Sequence, residues 1–302
     1  MNIEAVEKIA NAVLYEGYIL YPYRPSAIKN RQRFNFGVLY PRQYCDFQLG
    51  AESWEMKTEC LVAGSASTTV EVKTRFLQMA NRQNSQEQDW QEGVEREVCA
   101  PPCTLESIEA QPLRQRFTFQ CDEEIEGELE LRSSEIDLNV FKVTLTVRNL
   151  VTLGSATRDQ ALLRSLVSVH SILQVENGEF VSLLDPPEHL KATASECQNA
   201  GAWPVLAGEE GQRNLVLCSP IILYDYPQIA PESAGDLCDG TEIDEILALR
   251  ILTMTDEEKL EVRNGDDRAR RILERTETLS PDHFQKLHGA LRGLRASAEA
   301  SQ

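Results

Sequence analysis

Histidine, methionine and tryptophan are scarce in this chain, at 4, 4 and 3 of 302 residues. His170, His189, His283 and His288 form no cluster, and the last two are five apart, on different faces of any helix. That spread argues against a hydrolytic triad or a zinc enzyme. No P-loop and no G-x-G-x-x-G occurs, and Gly64-Ser65-Ala66-Ser67 and Gly154-Ser155-Ala156 lack the second glycine of a nucleophile elbow. No run approaches the roughly 18 apolar residues of a membrane-spanning helix. The opening MNIEAVEKIANAVLYEG has neither the basic nor the apolar stretch of a signal peptide. We therefore expect a cytoplasmic location and no membrane insertion.

Positive charge is also short: 30 Lys and Arg stand against 48 Asp and Glu, a net charge of −18 and a pI near 4.7. A chain this acidic lacks the footprint for general nucleic-acid or anionic-membrane binding. The eight cysteines are scattered, and free thiols are expected. Cys99-Ala-Pro-Pro-Cys103 is the single close pair. Its prolines forbid a helix and suggest a tight turn. A zinc site needs four ligands, usually from two such pairs, and no second pair exists.

Against this background one stretch reverses sign. Between Tyr15 and Phe47 lie six of the eight tyrosines, three phenylalanines and the bases Arg24, Lys29, Arg31, Arg33 and Arg42, with no acid between Glu16 and Asp46. Tyr and Arg combine contact area with directed hydrogen bonds at low entropy cost. Tyr21, Tyr23, Arg24, Lys29, Arg33 and Phe36 are the candidate binding anchors. The opposite extreme is 214–249, with Asp225, Glu232, Asp236, Asp239, Glu242, Asp244 and Glu245 and no base. Asp236, Asp239 and Asp244, with Cys99 and Cys103, are secondary metal candidates. The two segments could instead pair, Arg24, Lys29 or Arg33 against those acids.

Apolar spacing predicts a helix over 3–15, strands at Tyr18–Tyr23, Phe34–Tyr40, Trp54–Val62 and Thr68–Phe76, and a polar surface excursion over 77–96. Lys142–Arg148 alternates without error, and Arg116–Gln120 and Glu128–Leu131 alternate as well, with a turn at Ser133-Ser134. Thr157-Arg-Asp-Gln160 is a capping box, opening a helix striped by Leu162, Leu166, Val169 and Leu173, beside which His170 is structural. Asn177-Gly178 signals a hairpin, and 214–224 reads as an interrupted strand. Thr255-Asp-Glu-Glu258 is a second capping box, for a helix through about Glu274, and Ser280-Pro281 starts a last one. The expected class is α+β: an antiparallel, sandwich-like β-rich body over 1–230, then an acidic segment and helical tail over 231–302.

The wording of several phrases goes further. Glu16-Gly-Tyr-Ile-Leu-Tyr-Pro-Tyr-Arg-Pro-Ser26, Phe34-Asn-Phe-Gly37, the run from Gly178 to Glu188, the run from Ser219 to Glu232, and Asp239-Gly-Thr-Glu-Ile-Asp-Glu-Ile246 together resemble a bacterial family associated with nickel–iron hydrogenase gene clusters. The resemblance spans most of 1–275 and implies an accessory or maturation role, with a hydrogenase subunit or maturation factor as protein partner. The histidine-rich tract and paired CxxC motifs of dedicated nickel carriers are missing. The resulting expectation is a non-enzymatic accessory protein without a cofactor. The alternative is a metal-assisted enzyme with carboxylates at Asp225, Asp236, Asp239 and Asp244.

Overall fold

The structure, a computed structural model, describes residues 3–15, 36–83, 89–228, 251–265 and 267–278. These fall in two compact units, 3–15 with 36–228 and, separately, 251–278. The expected boundary at 230/231 lies outside the described residues.

The first unit is α+β and built on an antiparallel sheet of eight strands. Helix α1 (Ile3–Tyr15) forms as its spacing predicts, with Val6, Ile9, Ala10, Val13 and Leu14 on the buried side. A short helix, α2 (Arg42–Phe47), precedes strand β1 (Glu55–Gln83), whose 29 residues organise everything that follows. The remaining strands are β2 (Asp89–Thr104), β3 (Leu113–Gln120), β4 (Glu124–Asp137), β5 (Val140–Asn149), β6 (Val167–Val181), β7 (Trp203–Leu206) and β8 (Leu215–Ser219). Their order is β3-β4-β5-β1-β6-β8-β7, with β2 also on β1. β1 changes partners along its length: β5 over 55–63, β6 from Leu61, β2 from Thr69.

One face of this sheet curls around the main core. Met56, Cys60, Val62, Val70, Val72 and Phe76 of β1 meet Leu129 and Leu131, Val143, Leu145 and Val147, and Leu173, Val175 and Val216. The curl is closed by side chains and short backbone bridges. Lys57 exchanges backbone hydrogen bonds with Ala200 just before β7 (2.9 and 2.8 Å). Gln115 of β3 donates to the Cys99 carbonyl of β2 at 3.1 Å, and Arg96 of β2 donates to the Gln120 carbonyl at 3.1 Å while stacking on Phe119. Gly127 lets the Phe117 ring lie flat on β4; a Cβ there would stand 2.3 Å from it. A second core, with Leu14, Val38, Tyr40, Tyr44, Leu77, Met79, Leu162 and Val167, ties 38–45 to the sheet.

Several expectations need correction. The eight described strands belong to one hydrogen-bonded sheet, and the strand expected at Tyr18–Tyr23 lies outside the described residues. Residues 77–83 and 89–96 are not a surface excursion: they extend β1 and β2, paired from Leu77↔Glu95 to Gln83↔Asp89. The two strands read at 54–62 and 68–76 are one, continuous past an irregularity against β6 between Gly64 and Thr69. The described part of 34–40 holds only bridges from Leu39 to Ser53 and Leu166. Ser133-Ser134 lies inside β4, and Asn177-Gly178 lies inside β6, Asn177 taking φ 59° without a chain reversal. The capping box at Thr157 and Gln160 forms, but its helix stops at Leu162 (Arg158–Leu162). The leucine and valine stripe fits either period, and from Val167 sheet pairing takes it. The Cys99–Cys103 segment is not a turn; it stays in β2, accommodated by a register shift opposite Val70/Val72.

In the second unit the Thr255–Glu258 box caps helix Asp256–Arg263, and a further helix runs Asp267–Glu277. Lys259 and Arg263 pair with Glu277 at 3.2 and 2.7 Å. No described helix is long and apolar enough to cross a membrane.

A charged cleft as the candidate functional site

The outward face of β4, β5 and β1 follows from strand alternation. With Val143, Leu145 and Val147 turned to the core, Lys142, Thr144, Thr146 and Arg148 point out. Register then sets the neighbours in rows. Glu55, Arg148, Glu128 and Arg116 form one row; Lys57, Thr146, Glu130 and Arg114 the next; Glu59, Thr144 and Arg132 the third; Lys142 and Ser134 the fourth. Cross-strand pairs of opposite charge stabilise such a face.

Long ionic side chains surround the two short threonines, and the difference in length leaves a cleft of about 480 Å³. Its lining holds four cations, Lys57, Arg132, Lys142 and Arg148, and three carboxylates, Glu55, Glu59 and Glu130, with Ser133, Ser134, Thr144 and Thr146. In a chain of net charge −18 this is a local excess of positive charge.

The two buried carboxylates are fully engaged. Glu130 accepts from Arg114 (2.9 Å), Arg132 (2.8 Å) and Arg148 (3.4 Å). Burial opposes its ionisation, but the charge of Arg148 and the hydrogen bonds from Arg132 and Arg114 outweigh it and hold the carboxyl below its ordinary 4.5. Glu59 takes Lys57 at 2.6 Å and the Gln198 amide at 2.8 Å, with Lys142 at 3.8 Å. Burial again pulls upward and loses to these partners, so Glu59 also sits below 4.5. Arg148 is also engaged, its Nε on Glu55 and its Nη1 between Glu128 and Glu130.

The candidate residues read from the sequence fall elsewhere. Tyr21, Tyr23, Arg24, Lys29 and Arg33 lie outside the described residues, as do Asp236, Asp239 and Asp244. Phe36 is half-buried and lines a separate cavity of about 180 Å³ with Val38, Leu39, Met56 and Val169. Asp225 is occupied structurally, accepting from Ser182 Oγ and from the Leu206 amide. Cys99 is exposed and its thiol donates to Glu97; Cys103 is half-buried and donates to the Val70 carbonyl. Burial raises both thiols, so neither is primed as a thiolate. The seven described cysteines are free, and no group of three ligating side chains occurs among the described residues. His170 is a buried member of β6 rather than of a helix.

The cleft itself was not picked out from the sequence, although the outward set of Lys142–Arg148 was visible in its alternation. The chain matches no protein-family model and no curated protein.

Proposed function

We propose that this chain works by binding, as a cytoplasmic non-catalytic accessory protein, and that the charged face of β1, β4 and β5 is a contact surface for its protein partner. The observation that carries this reading is the Glu130 cluster: three arginines from three strands meet one carboxylate, fixing long side chains that would otherwise cost entropy to order on binding. The resemblance to proteins of nickel–iron hydrogenase gene clusters supports a hydrogenase subunit or a maturation factor as the partner. The Tyr21–Phe36 anchors supply a second contact region in this proposal.

The test is affinity capture of the tagged chain from its own host under hydrogenase-inducing conditions, beside Arg132→Glu with Lys142→Glu. The proposal expects a hydrogenase subunit or maturation factor with the wild type and at least tenfold less with the double variant. Recovery of no such protein, or equal recovery by both, overturns it.

A further inference from the structure

We infer that the cleft holds a small oxyanion, a carboxylate or a phosphate, over Thr144 and between Lys142 and Arg132. The inference rests on the binding role proposed above and names the ligand chemistry of that site.

It follows from which hydrogen-bonding capacity is left over. Glu59 and Glu130 are satisfied by their neighbours, and Arg148 spends its Nε and Nη1 on Glu55, Glu128 and Glu130. What remains is almost entirely donors. Lys142 touches only Glu59, at 3.8 Å, beyond hydrogen-bond length, so its three N–H groups have no protein acceptor among the described residues. Arg132 makes one hydrogen bond among the described residues, to Glu130, with a guanidinium that carries five donors. The hydroxyls of Thr144, Thr146 and Ser134 also find no partner among the described residues, although Thr144 and Thr146 are 9% and 7% exposed.

Register brings these groups together. Thr144 stands directly across from Arg132, and Lys142 directly across from Ser134, one step along the same face. Two cations and adjacent hydroxyls converging on a depression fit a group with two or more anionic oxygens, which accepts from several donors at once. A cation is disfavoured, because the cleft's buried carboxylate oxygens are already claimed by Arg and Lys. The volume, about 480 Å³, suits a small molecule or the end of a peptide. The acidity of the whole chain does not prevent this, since at physiological salt charges beyond about 8 Å are largely screened.

The experiment is a thermal-shift titration of the full chain with inorganic phosphate and, separately, succinate, against sodium chloride at matched ionic strength. The expected result is a saturable rise in melting temperature with at least one of the two anions and none with chloride. Saturation by phosphate alone identifies a phosphoryl ligand, by succinate alone a carboxylate, and by both a site for either. Lys142→Gln and Arg132→Gln should each weaken the affinity tenfold or more, while Lys142→Arg keeps it within about threefold. Both replaced side chains are partly exposed, and the two variants test the site independently. No saturable shift with either anion, or unchanged affinity in both Gln variants, overturns the assignment. Anion binding without partner capture would retain this site and remove the accessory reading; capture without anion binding would do the reverse.

Discussion

Lowering the pH from 7.5 to 5 should cost the first unit about 2 kcal/mol through one side chain, His170. The residue is fully buried on β6, opposite Arg75 of β1, and its Nδ1 donates to the Ser168 carbonyl at 2.9 Å while Nε2 has no partner among the described residues. Burial dominates and pushes its pKa down from 6.5 to about 4; the Ser168 bond pulls the other way, and the charge of Arg75 adds to the lowering. Arg75 cannot move off easily, held by Asn11 of α1 at 2.7 Å and Glu95 of β2 at 3.3 Å. The unfolded chain therefore binds a proton near pH 6.5 that the folded chain refuses until about pH 4. The stabilisation is complete above the unfolded value and is lost as pH falls from there toward 4, reaching about 3 kcal/mol in total and about 2 kcal/mol by pH 5. Urea unfolding of the wild type and of His170→Gln at both pH values isolates this contribution, because every other titrating group is common to the pair. The wild type should lose about 2 kcal/mol more than the variant. Equal losses would refute the argument, as would an imidazole NMR titration with a midpoint near 6.5 in the folded protein.

Two further outcomes concern the cleft. Glu130→Gln removes the negative charge and one of the two oxygens shared by Arg114, Arg132 and Arg148 and should cost about 1–2 kcal/mol in urea unfolding, below the 3–5 of a wholly buried pair because Arg114 and Arg132 are half-exposed. Since the folded carboxyl lies below 4.5, that difference should persist above pH 4.5 and shrink as pH falls further; a constant difference would contradict it. Thr144→Val keeps the β-branched shape and removes a cleft-facing hydroxyl with no protein partner among the described residues, so stability should change by less than about 1 kcal/mol while the affinity for the phosphate or succinate probe falls at least fivefold. A stability loss above about 1 kcal/mol would show that the hydroxyl serves the fold.

How far the sequence disclosed this structure depended on whether a signal was local. α1 was visible because five apolar residues share a helical face, and both capping boxes were visible because Thr157 with Gln160, and Thr255 with Glu258, close within one turn. β5 was visible because Val143, Leu145 and Val147 alternate strictly. The errors arose where distant partners decide. Leu166, Val169 and Leu173 satisfy a helical stripe, yet Val167↔Leu77 and Leu173↔Val72 pairing makes them strand. Polar 77–83 extends because 89–95 pairs with it across the strand, a fact no window over the segment contains.

The cleft shows the same limit at the level of function. Lys57, Glu59, Glu130, Arg132, Lys142 and Thr144 are ordinary outward residues of three strands, separated by up to 87 positions, and none stands in a motif. Their chemistry arises from register. A one-residue slip of β4 against β5 would turn Glu130 and Arg132 to the core face and leave Arg148 with Glu55 alone. Leu129 and Leu131 forbid that slip, because it would expose them and set Glu130 and Arg132 against Val143 and Leu145. The apolar pattern that secures the fold thus also fixes which charges meet. Glu59 and Glu130 become internal counter-ions, while Lys142 and Arg132 are left with donors to spare, and that remainder makes a paired ionic surface a candidate anion site.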